Sequence, residues 1–126
     1  MAKTLAVKDI HTTTPVETPH GEIIRELGGR SAGALDQHSL AHITLPPGKG
    51  ALKHYHPVVE ESYYILSGAG RMIIDDEEAT VQPGQMVAIA PGRIHQIFNT
   101  NASEPLTFMV VCVPPWTPDC SVFVED

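Results

Sequence analysis

Apolar and polar positions alternate along this chain in short blocks, and glycine or proline closes most of them. Residues 39–45 put Ala41, Ile43 and Leu45 on one face and Leu40, His42 and Thr44 on the other. That period of two predicts a half-buried strand with one polar-leaning face. Pro46-Pro47-Gly48 ends it, and His54-Tyr55-His56 is the next short piece. Residues 62–66 are aromatic and aliphatic, with strong strand preference. A Gly68-Ala69-Gly70 turn leads into residues 71–74, and the acidic residues 75–78 predict a solvated hairpin end. Residues 79–81 are a short piece, and 85–90 are apolar enough to predict burial on both faces. Residues 94–98 follow, then 106–113 as the longest apolar strand, with 121–124 as a possible last one. Turns at intervals of roughly 8–12 residues predict an all-β sandwich or barrel. Helix has room only in the N-terminal arm or after Pro118.

Residues 1–35 carry little patterned chemistry. Residues 12–19 are rich in Thr and Pro and predict an extended arm, while 22–27 have strand length. His11 and His20 lie in this arm and are expected to be exposed polar residues. Residues 36–113 hold the barrel core, and 114–126 read as a rigid, proline-rich tail. With 126 residues, the chain is expected to form a single domain with a core of its own.

Composition then narrows the partners. Eight Lys and Arg against fifteen Asp and Glu give a formal net charge of -7, with no basic patch. Such a surface repels phosphate backbones, so nucleic acid is not expected. No apolar run approaches membrane-spanning length, and the first ten residues lack the apolar block of a secretory signal. A cytoplasmic location is the expectation. It agrees with reading Cys112 as a small buried hydrophobe rather than as half of a bridge to Cys120.

The chemistry concentrates in two segments. His54 and His56 share a face of one strand, with Tyr55 turned away. Glu61 has the opposite parity and joins them only if the chain turns between, for which Pro57 supplies a reason. His95 comes from a second segment, thirty-four residues past Glu61. Three imidazoles and a carboxylate suit a divalent transition metal, and leave one or two coordination positions for water or substrate.

The first segment resembles the first motif of the cupins, with Gly48, His54, His56, Glu61 and Gly68 at the matching places. The second resembles the second cupin motif through Gly84, Gly92, His95 and Asn99, with Ala90 where that motif has proline. The resemblance implies a double-stranded β-helix, a small jelly-roll barrel, with one divalent metal per chain inside its mouth. Iron, manganese, nickel, copper and zinc all fit the ligand set. It implies a metalloenzyme of dioxygenase, decarboxylase or isomerase and lyase type, acting on a small carboxylate, keto or hydroxy acid or sugar derivative. A non-catalytic binding or sensor protein is the alternative, and such barrels commonly pair as homodimers.

Further candidates surround the four ligands. Tyr63 shares the parity of Glu61 and is a candidate for the pocket wall; His42 is a candidate general base. Arg71 and Arg93 are candidate contacts for a substrate carboxylate, and Glu60 is expected to be a surface carboxylate beside the ligand Glu61.

Overall fold

The structure is a computed structural model that describes residues 5–30 and 35–125. Residues 1–4 and 31–34 of the expected arm, and Asp126 of the expected tail, lie outside the described residues. Eleven strands and no helix occur among the described residues. They are β1 (Val16–Glu17), β2 (Ile23–Gly28), β3 (Ser39–Leu45), β4 (His54–Tyr55), β5 (Glu60–Ser67) and β6 (Gly70–Ile74). Then come β7 (Glu77–Val81), β8 (Met86–Ile89), β9 (His95–Asn99), β10 (Leu106–Val113) and β11 (Val122–Phe123). All pair antiparallel in two sheets, ordered β1-β2-β3-β10-β5-β8 and β11-β4-β9-β6-β7.

Strand β10 shows why the larger sheet faces inward on one side. Leu106, Phe108, Val110 and Cys112 are buried, and the residues between them are not. It lies between β3 and β5, so its inward residues meet Leu45 and Ile43 on one side and Ile65 and Tyr63 on the other. Burying these faces removes apolar area from water at roughly 25 cal/mol per Å², the main stabilising term of such a sandwich.

The site depends on the chain changing sheets. Strand β4 belongs to the smaller sheet and β5 to the larger, so residues 56–59 carry the chain across between them. Gly92 N donates to the His56 carbonyl at 2.7 Å, which ties the second motif to this crossing. Gly68 sits at the next change of sheet with φ of 79°, and an added Cβ would lie 2.4 Å from the Pro105 carbonyl oxygen. Only glycine meets both demands.

Residues 85–90 differ from expectation. Strand β8 is the edge of the larger sheet, so Met86 is 57% exposed and only Ile89 is buried. An edge strand lacks a neighbour along one side, and its outer face, like that of β5 beside it, is left in solvent, so apolar composition alone does not bury it.

Asn99, the last residue of the second motif, is a structural clamp. Its Nδ2 donates to the carbonyls of Leu45 at 2.8 Å and Glu104 at 2.9 Å, while its Oδ1 accepts from Asn101 N at 2.9 Å. Replacing Asn99 with Ala leaves buried carbonyls unpaired and should lower the unfolding free energy by about 2–4 kcal/mol. Urea denaturation of the two proteins measures it.

Candidate metal centre

Strand pairing brings the four motif residues together. His54 on β4 is directly opposite His95 on β9. Glu61 on β5 lies between Cys112 of β10 and Ile89 of β8 in the opposing sheet. One ligand atom from each of His54, His56, Glu61 and His95 falls within 4.8 Å of the others. Glu60, one residue before, is exposed on the outer face.

The three imidazoles are oriented by the same device. Nδ1 of His54 donates to the Leu52 carbonyl at 2.6 Å, that of His56 to the Cys120 carbonyl at 3.1 Å, and that of His95 to the Arg93 carbonyl at 3.0 Å. A carbonyl only accepts, so each Nδ1 carries the hydrogen and each neutral ring turns an Nε2 lone pair inward. Nε2 of His56 and of His95 lie 3.4 and 3.0 Å from Glu61 Oε1. Alignment is poor, and all three atoms are buried without a hydrogen-bond partner. Lone pairs converging on a carboxylate oxygen repel one another unless a cation stands among them. The donor set therefore fits a metal ion, and the His-His-Glu-His group can hold one.

Without metal, protons take that role. Burial raises a carboxyl's pKa, but contacts with His56 and His95 outweigh it and bring Glu61 down to about 2. Burial also opposes charge on His56, but Cys120 and Glu61 together raise that ring to about 10. For His54, burial and then the neighbouring charge of His95 lower the value to about 4. Sγ of Cys112 donates to Glu61 Oε2 at 3.4 Å, because burial first and the Glu61 charge next keep that thiol protonated.

His54, His56 and Glu61 line a cavity of about 190 Å³, with His95 clustered beside them. Its walls also include Tyr63, whose hydroxyl is held neutral by burial first and then by the charges of Glu61 and Glu22. Tyr63 thus lies at the wall as a hydrogen-bond donor, not a base. His42 does not reach the cavity. Ser39, Ala41 and Ile43 take the inward parity of β3, so His42 faces outward beside Arg25 and Met109. Neither arginine is at the cavity. Arg71 lies between inward Gly70 and Met72, stands 5.3 Å over the Phe98 ring and pairs with Glu78 at 3.8 Å. Arg93 pairs with Asp75 and, at 3.6 Å, with Glu77, on the acidic turn after β6.

Sequence reasoning missed two groups. His20 is not a free surface residue: its Nε2 meets Glu22 Oε1 at 2.7 Å, and the pair lines the cavity with Glu26. His20, Glu22, Ile24 and Glu26 share one parity, which was readable. Which parity faced inward was not, because both mix polar and apolar residues. The second group is the C-terminal segment, which supplies the Cys120 carbonyl to His56, Ser121 Oγ at 3.3 Å from the same Nδ1, and the Phe123 ring 5.8 Å from that of His54.

The shifts fix the pH response of metal-free protein. His54 lies below its ordinary 6.5, so its contribution is full above pH 6.5 and is lost as pH falls through about 4. The Glu61 contribution, present above 4.5, is lost on the way to about 2. That of His56 is full below 6.5 and is lost as pH rises through about 10. Metal-free protein should therefore lose stability from pH 6.5 to 4, by at most about 3 kcal/mol from His54. His54→Ala should flatten that fall, as read from denaturation midpoints across the range.

The comparisons with known proteins agree with the fold and the motifs. The family model described as Cupin domain matches residues 41–112. The uncharacterized protein MJ1618 of Methanocaldococcus jannaschii is 35% identical over 111 residues, 88% of each chain. The structure of a predicted oxalate decarboxylase from Thermotoga maritima superposes with a TM-score of 0.77 at 24% identity, covering 86% of this chain and 98% of that one. A sugar phosphate isomerase from a cupin superfamily, from Silicibacter pomeroyi, gives 0.75 at 26% identity, over 95% and 82%. With both motifs in place around one buried cluster in a double-stranded β-helix, this chain belongs to the cupin family.

Proposed function

We propose that this cupin is a metalloenzyme acting on a small organic molecule held at a divalent transition metal. The observation that carries the reading is the convergence of His54, His56, Glu61 and His95, with the Nε2 atoms of His56 and His95 and Oε1 of Glu61 unpartnered, beside a cavity that His54, His56 and Glu61 line. Iron, manganese, nickel, copper and zinc all suit three nitrogens and one oxygen. Such an ion, when bound, polarises an oxygen of the substrate and offers it an open coordination position.

The rest of the work belongs to the chain. Leu52, Cys120 and Arg93 carbonyls hold the rings, so little rearrangement is needed on loading. Cys112 steadies Glu61 from behind. Tyr63, kept neutral, donates a hydrogen bond towards negative charge that develops on the substrate. Apolar walls keep water out and strengthen that contact. The two free cysteines suit a reducing compartment such as the cytoplasm.

Metal content per chain should fall at least about ten-fold in His56→Ala and His95→Ala, since each loses a ligand. Glu60→Ala should keep its metal. Elemental analysis of folded protein decides; full occupancy in both histidine variants sinks the site assignment. Turnover of a panel of small hydroxy and keto compounds by loaded protein then separates an enzyme from a binding protein, which would hold ligands unchanged.

A homodimer is part of the same reading. On the outer face of the larger sheet Tyr64 sits directly opposite Met86, with Leu66 two residues on, and all three are more than 40% exposed. Covering such a patch is favourable. Sedimentation equilibrium at micromolar concentration should give twice the chain mass, and Tyr64→Glu should shift it to monomer.

A further inference from the structure

The cavity has a second polar side, and its composition restricts the ligand. We infer that the His20–Glu22 pair is a hydroxyl-recognition subsite, and that the cavity takes an uncharged single-ring molecule bearing adjacent hydroxyls. Ligand chelation by such hydroxyls rests on the metal reading given above; recognition by the pair does not.

Size comes first. A cavity of about 190 Å³ is a little larger than the 150 Å³ or so that accommodates a benzene ring, so one ring with small substituents fills it. Surface comes second. Ile24, Ile43, Phe108, Val110 and Trp116 make most of the wall apolar, which suits a flat ring better than a fully hydroxylated sugar.

Charge decides the rest. Among the described residues, no Lys or Arg lines the cavity, whereas Glu22 and Glu26 add two carboxyl side chains to Glu61. A divalent cation would offset Glu61 and one carboxylate more, and would leave no cationic side chain at the wall for a second acid group. A dianion such as oxalate would meet these groups without an arginine to pair with, because Arg71 and Arg93 point elsewhere. A carboxylate is instead an acceptor for neutral hydroxyls. Glu22 is held for that task by His20 Nε2 at 2.7 Å and by its own backbone amide, which donates to Thr18 Oγ1 at 2.9 Å. Both side chains are only 20–25% exposed, so a hydrogen bond there is made largely out of water.

The test is anaerobic calorimetric titration with two probes, catechol and oxalate. Zinc-loaded and chelator-treated forms of wild type, Glu22→Gln and His20→Gln are compared, with denaturation midpoints confirming that each folds. Catechol should bind zinc-loaded wild type at least about ten-fold more tightly than oxalate. Glu22→Gln should weaken catechol about ten-fold in both forms and tighten oxalate, since one repelling charge is gone, with zinc content unchanged. His20→Gln, which removes only the partner of Glu22, should give a smaller loss in the same direction. Oxalate binding as tightly as catechol overturns the inference, as does catechol affinity indifferent to Glu22 or catechol that binds neither form. Failure to take up zinc would instead defeat the metal reading, while Glu22-dependent binding to the chelator-treated form still decides the subsite.

Discussion

A carboxylate with 5% of its surface exposed, set among imidazoles, is the constraint around which this barrel is arranged. Ionised Glu61 is costly to bury alone, and neutral rings with Nε2 turned inward do not relieve it. Some cation has to complete the group. The fold supplies everything else: carbonyls behind the rings, a thiol behind the carboxylate, and a corner that lets one strand meet the other sheet.

That corner explains why the clustering of His54, His56, Glu61 and His95 was legible from sequence while its surroundings were not. His54 and His56 share a strand parity, and Glu61 was admissible only across a turn; the crossing between β4 and β5 is that turn. Motif spacing encodes such local geometry well. It says nothing about which face of a strand ends up inside, and that is where His42, Arg71 and Arg93 diverged from expectation. Each is polar, near the motifs in sequence, and on the outward parity of its strand or turn.

The converse holds for the N-terminal strand. Its sequence has the ordinary look of a surface arm, yet β2 is paired along β3, and with the residues just before it brings His20, Glu22 and Glu26 to the cavity wall. The motifs make the barrel and its ligand set. Segments outside them, from residues 18–26 and 116–123, line the cavity together with the motif residues.

The C-terminal return of the chain also sets an order in time. A nascent chain that has emerged only as far as Val113 already contains His54, His56, Glu61 and His95, and all of β10. It lacks the Cys120 carbonyl that fixes the proton on His56 Nδ1, and β11, which pairs with the strand bearing His54. Without those residues His56 Nδ1 lacks all of the hydrogen-bond partners that the folded chain gives it. The orientation of a ring in the group that can hold a metal is thus fixed only after the strands of both motifs have been made.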